Sequence, residues 1–333
     1  MSEQWQQHLQ QQGAQFDSGR VSGYAGQTAN NSDQKLVDLS HFGLIRATGV
    51  DAASFLHNQL TNDVNNLPNG HAQWNGWCAV KGRLLMTCVL WKIDDAYWLM
   101  MPRALVGSTI KRLRMFVLRS KVVLDDVSDE LVRVGQLGAA QTAAQTMTAT
   151  QSDGTILLQL DNAATVRIAP AAQAIEHWNN SSSTKAPANT WDLHQIRQGV
   201  LTVLPETVEA FVPQMANFEL AGGVSFKKGC YPGQEIVART QYRGILKRRM
   251  VRVSVATTKI ALGDRFYSPE FGDQACGEVA NFAVTDDGGV EALVVAQVES
   301  IKGAKMRMGA VDGLLAGVLT LPYEIPQLMV IAE

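Results

Sequence analysis

Phe226-Lys-Lys-Gly-Cys-Tyr-Pro-Gly-Gln-Glu235 decides both the chemistry and the fold of this chain. It sets one thiol, Cys230, between a lysine pair and a Pro-Gly turn. Gln234 and Glu235 then open a helix that the sequence carries through Ile236, Val237 and Ala238 to Gly244. A cysteine attacks only as its thiolate, which positive charge or a helix N-terminus favours. Lys227, Lys228 and the helix start supply both, so Cys230, with Lys228 beside it, is the candidate catalytic pair. The competing reading is a small residue packed in a strand-to-helix turn.

Composition limits what surrounds that thiol. The 333 residues suffice for two or three domains with a sizeable core. No apolar run reaches the ~18 residues of a membrane span, so no membrane partner is expected. A net charge of −2 argues against stable nucleic-acid binding. Cys78, Cys88, Cys230 and Cys276 are widely spaced, without a CxxC pair. That usage suits free thiols in a reducing, cytoplasmic compartment and offers no metal site. The six histidines form no HExxH. Met1–Gln12 is Gln-rich, and residues 1–34 read as a partly ordered leader.

Outward from the motif, Leu44 to Thr48 reads as a strand. Asp51 is the expected N-cap of a helix reaching Leu60, with Ala52, Phe55, Leu56 and Leu60 at helical spacing. Strands follow at 72–80 and 84–92 around a Lys81-Gly82 turn, then at 97–101, then a helix over 103–117. Ala139 to Gln151 reads as a weak helix plus loop, and Asn179 to Asn189 as a linker. A helix begins at Trp191. Beyond 245, short strands at 250–256, 277–284, 290–298 and 306–308, with a hairpin turn at Asp286-Asp-Gly-Gly289, suit an antiparallel barrel. The fold class is α+β. Its portions are the leader 1–34, an α+β portion from 35–130 and 190–245, a second from 131–189, and a barrel over 246–333.

The longer stretch Phe211-Val-Pro-Gln-Met-Ala-Asn-Phe-Glu-Leu-Ala-Gly-Gly-Val-Ser-Phe-Lys-Lys-Gly-Cys-Tyr-Pro-Gly-Gln-Glu-Ile-Val-Ala-Arg239 closely resembles the signature of the YgfZ proteins. These are folate-binding relatives of the glycine-cleavage T-protein, tied to iron–sulfur cluster maintenance and tRNA modification. Phe55-Leu-His-Asn-Gln-Leu-Thr-Asn-Asp-Val64 and Cys78-Ala-Val-Lys-Gly-Arg83 resemble the same family in the same order. The likeness implies a three-domain ring, two domains α+β and the third a β-barrel, with folate in the central hole. It implies tetrahydrofolate or a derivative as cofactor and iron–sulfur client proteins or assembly factors as partners.

The resemblance also assigns residues. Phe42 and Trp191 match the aromatic positions that contact folate. Gln59, Thr61 and Asp63 line the same cavity if they face it, and Tyr231, Gln234, Glu235 and Arg239 complete the set. Two departures bear on the reaction. The T-protein's aspartate pair after the hairpin glycine falls on Met86 and Thr87, neither of which is a carboxylate. Arg197 and Gln198 replace the Glu-Ala that relatives often carry in the helix after Trp191. Arg239, Arg243, Lys247, Arg248, Arg249 and Arg252 read either as a solvated edge or as a site for an acidic polyglutamate folate tail, which is preferred over RNA. The implied function is a tetrahydrofolate-binding accessory factor for iron–sulfur enzymes, with Cys230 as its functional thiol. The alternative is a folate-dependent one-carbon transferase or demethylase. A third reading is an adaptor whose motif loop only docks a partner.

Overall fold

The structure, a computed structural model, describes residues 1–26, 33–138, 146–243 and 246–328. The chain divides into two compact units. The first holds residues 1–57, 64–73 and 88–191; the second holds 58–63, 74–87 and 192–333.

In the first unit, Lys35–Asp38 and Val132–Leu137 lie inside a six-stranded sheet. Its order is Thr148–Ser152, Thr155–Asp161, Ala164–Ala169, Val132–Leu137, Lys35–Asp38 and Thr184–Ala186. The last pair is parallel, joining Thr184 to Lys35 and Ala186 to Val37. So the expected linker 179–189 is not one. It holds the end of the helix Ala171–Asn180, this edge strand and the start of the helix Ala188–Arg197. A polar, Ser-rich composition reads as loop, but three residues of pairing to a distant strand carry no local signal.

The expected leader is also corrected. Glu3–Gln11 is a helix, with Ser2 at its N-cap accepting from the Trp5 N–H. Ala14–Asp17 and Arg20–Tyr24 form a hairpin behind it. Trp5 and Leu9, spaced i and i+4, are fully buried against Leu36, Val134 and Trp178. Trp5 Nε1 donates to buried Asp38 at 2.8 Å. Burial of that one apolar face orders a segment whose overall composition is polar. Of the expected helix-plus-loop at 139–151, residues 139–145 lie outside the described residues, and Thr148–Ser152 is strand.

A five-stranded sheet runs in the order Ala72–Cys78, Leu84–Ile93, Ala96–Pro102, Phe42–Thr48 and Val123–Asp126. The helix Arg103–Val117 has the predicted limits, with Leu105, Val106, Ile110 and Leu113 buried. Asp51 stands at the expected N-cap position of the helix Ala52–Gln59, its carbonyl accepting from the Phe55 N–H at 2.8 Å, but its carboxylate accepts from the Lys121 N–H at 2.7 Å.

In the second unit, a seven-stranded antiparallel sheet forms the barrel. Arg248–Val255, Gly277–Val284 and Val290–Gln297 are its long strands, and Val251, Val253, Phe266, Val279 and Val294 are buried within it. Its outermost strands, Leu314–Leu315 and Gly317–Leu319, are consecutive in the chain, with Ala316 alone between them.

Candidate functional site

The thiol motif is held by a short segment distant in sequence. Thr61 N–H donates to the Gly76 carbonyl at 2.9 Å, and Gly76 N–H donates back to Thr61 Oγ1 at 2.8 Å. Thr61 Oγ1 in turn donates to the Gly223 carbonyl at 2.6 Å, and Ser225 N–H donates to the Thr61 carbonyl at 3.0 Å. A hydroxyl donates and accepts at once, so one buried side chain satisfies two backbone groups from different segments. Asn62 repeats the device. Its Nδ2 donates to the carbonyls of Trp74 at 3.0 Å and Gly222 at 2.8 Å. The approach to the motif, 222–225, is thereby stitched to 60–62 and to the strand Ala72–Cys78.

The motif itself docks on the hairpin turn at Lys81-Gly82. Ala79 N–H donates to Arg83 O at 2.8 Å to close that turn. Gly233, at φ +78°, leaves no room for a side chain: its Cβ would stand 2.7 Å from the Gly82 Cα and meet the Ala79 carbonyl oxygen. The helix Gln234–Arg243 starts there, with Val237 N–H donating to Gly233 O at 3.2 Å. Gln214 Nε2 donates to Val237 O at 2.7 Å and ties the helix to the signature's first half.

Between the stitch and the helix lies the reactive part. Lys228 is buried, and its ammonium donates to the Leu60 carbonyl at 2.5 Å. It also lies 4.8 Å from the centre of the Tyr231 ring. Burial pulls its pKa from 10.5 down to about 8, against the opposing fields of Asp63 and Cys230. Cys230 is the exposed member of the four free thiols. Burial pushes the Cys78 thiol up to about 12 and the Cys88 thiol higher still. Tyr231 is buried, and burial, then Cys78, raises its hydroxyl. Chemically the arrangement is an accessible thiol next to an amine able to take or give a proton a little above neutrality.

The second unit thus brings Gln59, Thr61, Asp63, Lys228, Cys230, Tyr231 and Gln234 to one junction of three segments. Gln234 Nε2 donates to Gly229 O at 3.4 Å across the motif turn. Glu235 and Arg239 are exposed on the helix. Thr61 has its hydroxyl engaged with backbone on both sides. Phe42 and Trp191 belong to the first unit and are both buried. Trp191 packs on Gly135, where a Cβ would come within 2.6 Å of the indole. Asn62, Asn75 and Gly223 hold the junction, although sequence reasoning does not single them out. The signal available is the Gln-Leu-Thr-Asn-Asp run at 59–63, whose short polar side chains favour backbone bridging.

The basic cluster is not a single patch. Arg249 is buried in an ion pair with Glu219, Nη1 to Oε1 2.5 Å, and also donates to Gln214 O at 2.8 Å. Arg248 reaches Glu278 at 3.9 Å and Arg252 reaches Glu291 at 3.8 Å. Arg239 and Lys247 are exposed, and the Arg243 side chain lies outside the described residues. Arg197 joins Glu291 at 2.7 Å. At the T-protein aspartate positions, Met86 is buried, and Thr87 Oγ1 donates to Leu201 O at 2.9 Å and accepts from Val203 N–H at 3.0 Å. That hydroxyl is a structural bridge. Among the described residues no group of three or more His, Cys, Asp or Glu could hold a metal ion.

Comparison with known proteins follows the same lines. The GCVT N-terminal domain family matches residues 25–162. The tRNA-modifying protein YgfZ of Photobacterium profundum is 28% identical over 303 residues, 87% of this chain and 92% of that one. The Vibrio vulnificus (strain CMCP6) protein of the same name is 30% identical over 230 residues, 65% of this chain and 68% of that one. The crystal structure of glycine cleavage system aminomethyltransferase T from Bartonella henselae superposes with a TM-score of 0.74 at 15% identity, covering 97% of this chain and 98% of that one. The T-protein fold expected from sequence is therefore the fold found.

Proposed function

Because the chain belongs to the YgfZ family, we propose that it is a tetrahydrofolate-binding accessory factor that supports assembly or repair of iron–sulfur enzymes, tRNA-modifying ones among them, with Cys230 as the working thiol. One observation carries the reading. The exposed thiol among four follows a segment tied to residues 60–62 by buried bonds, Thr61 Oγ1 to Gly223 O and Lys228 Nζ to Leu60 O, and by the exposed bond from Asn62 to Gly222 O. A surface that merely packs has no need of that rigidity, whereas a reacting group does.

Unmatched polar atoms at the same junction fit a folate. Gln59 Oε1, Asn75 Nδ2 and Tyr231 Oη are buried without a hydrogen-bond partner. A pterin edge carries complementary donors and acceptors, and orphaned polar atoms are costly unless something meets them. A bound reduced folate supplies a carrier for one-carbon units. The chain's own part is narrower. Gln59 and Asn75 orient, Tyr231 walls the junction under Lys228, and Lys228 holds or releases a proton next to the Cys230 sulfur. Phe42 and Trp191 in the first unit remain the aromatic candidates that the family resemblance supplies.

Isothermal titration with tetrahydrofolate tests the ligand. The wild type binds; Gln59→Leu and Trp191→Phe report separately on the two units, and whichever weakens binding identifies the unit that holds the ring. Absence of heat with the wild type sinks the folate reading. The thiol is tested in cells lacking the protein by following a modified tRNA nucleoside made by an iron–sulfur enzyme. Cys230→Ser is expected to bind folate and fail to restore the nucleoside; full restoration overturns the role of Cys230.

A further inference from the structure

The helix Arg103–Val117 and the turn after it carry a second surface with no part in the thiol site. From Ala104 to Leu124 the chain has no acidic residue and five cations, Lys111, Arg112, Arg114, Arg119 and Lys121. Arg114 is engaged with Leu124 O at 2.8 Å. Lys111, Arg112, Arg119 and Lys121 are exposed, and none of their side chains is in an ion pair among the described residues, although the backbone N–H of Lys121 bonds the Asp51 carboxylate. Arg46 and Arg103 of the same unit are paired with Asp125 and with Asp126 and Asp129.

Large apolar side chains stand among these cations. Leu118 is 88% exposed, Val50 83%, Met115 64% and Val123 54%. They form one knob. A Cβ on Gly49 would stand 3.2 Å from the Val122 Cα, Asp51 accepts from Lys121 N–H at 2.7 Å, and Thr48 pairs with Val123. Met115 follows Lys111 by four residues and Arg112 by three, so all three share a helix face. Leu118 adopts φ +42°, where a bulky non-glycine residue is rarely found.

We propose that this knob is a peripheral docking site for an anionic lipid surface: Val50, Met115, Leu118 and Val123 enter the headgroup boundary, and Lys111, Arg112, Arg119 and Lys121 contact the phosphates. Two features select this occupant, protrusion and charge. Leu118 and Val50, more than 80% exposed, are protruding side chains, which enter a soft interface and leave no groove for a partner's own anchors. Phe116, 46% exposed beside Met115, adds a ring to this surface, so it is the tRNA arm of the test below that separates base stacking from lipid contact. A collar of cations around them complements anionic headgroups, each cation adding to the attraction. No helix of the described residues is long and apolar enough to cross a membrane, and the contact proposed here is with the surface only.

Co-sedimentation of the full chain tests it, with vesicles of phosphatidylcholine alone and of phosphatidylcholine with a third phosphatidylglycerol. Binding is expected only to the anionic vesicles and weakens as salt rises. Arg119→Glu/Lys121→Glu lowers the partition coefficient at least about tenfold, and Met115→Asp/Leu118→Asp abolishes binding. These positions are exposed, so the variants fold, which their circular dichroism checks. No sedimentation with the anionic vesicles overturns the proposal, as does binding unchanged in both double variants. Retention by bulk tRNA in a filter assay, with none by vesicles, overturns it in favour of a nucleic-acid surface.

Discussion

Gly82 and Gly233 meet backbone to backbone. A Cβ on Gly233 would lie 2.7 Å from the Gly82 Cα, and a Cβ on Gly82 would lie 2.9 Å from the Ile236 Cβ. Both hold positive φ, +73° and +78°. The Lys-Gly turn of one hairpin and the Pro-Gly turn of the thiol motif thus form one joint. Gly233→Ala is expected to destabilise the chain by about 2–4 kcal/mol through strain and overpacking. Urea unfolding measures it, and a change under about 0.5 kcal/mol contradicts the contact.

Thiol titration gives the second prediction. With a chromogenic disulfide under native conditions, one of the four cysteines reacts quickly, and Cys230→Ser removes that phase. Cys78, Cys88 and Cys276 are buried and react only on unfolding. A fast phase persisting in Cys230→Ser shows that a second thiol is accessible.

Lys228 gives a pH signature of definite sign. Its folded-state pKa is about 8, below the ordinary 10.5. Between these values the unfolded chain holds a proton that the folded chain has released. Stability gained at this site therefore rises as pH increases from about 8 to 10.5, and the full cost of burying the charge is present below 8. Lys228→Met flattens that rise relative to wild type. Parallel stability curves for the two proteins across that same range of pH count against the burial.

The Arg249–Glu219 pair is nearly sealed from water, with the side chains 4% and 7% exposed. Glu219→Ala leaves a buried guanidinium uncompensated and is expected to cost about 3–5 kcal/mol. Replacing both residues, as Glu219→Leu/Arg249→Met, recovers much of that loss in thermal unfolding. A double variant as unstable as the single one points to the other bonds of Arg249, to Gln214 O and Asn217 Oδ1, as the larger contribution.

These residues mark the boundary of what sequence reveals. Local rules suffice where the signal is local. The apolar spacing of Leu105, Ile110 and Leu113 delimits a helix, and Asp-Asp-Gly-Gly at 286–289 marks a turn, which closes through Thr285 N–H to Gly289 O at 2.9 Å. Arg248, Arg249 and Arg252 look like a cation run in sequence because Glu278, Glu219 and Glu291, which neutralise them, come from other segments. Trp5 and Leu9 are hidden by the glutamines around them. At the site, the thiol and its lysine are legible from spacing, but Thr61 is not legible as a bridge. Whether its hydroxyl faces a ligand or two backbone groups depends on Gly76 and Gly223, 15 and 162 residues away.

The barrel's outermost strands, Leu314–Leu315 and Gly317–Leu319, share a single connecting residue. The rim of the sheet is therefore closed by covalent chain. Ala316 is buried, with its N–H donating to Met306 O at 2.9 Å, so a protease finds little purchase there. A break at that residue would free both edges together and offer two unpaired strand borders to other molecules. An engineered chain with new termini at Ala316 is accordingly expected to self-associate, whereas one opened at the exposed Asp286–Gly288 turn keeps the closed rim intact.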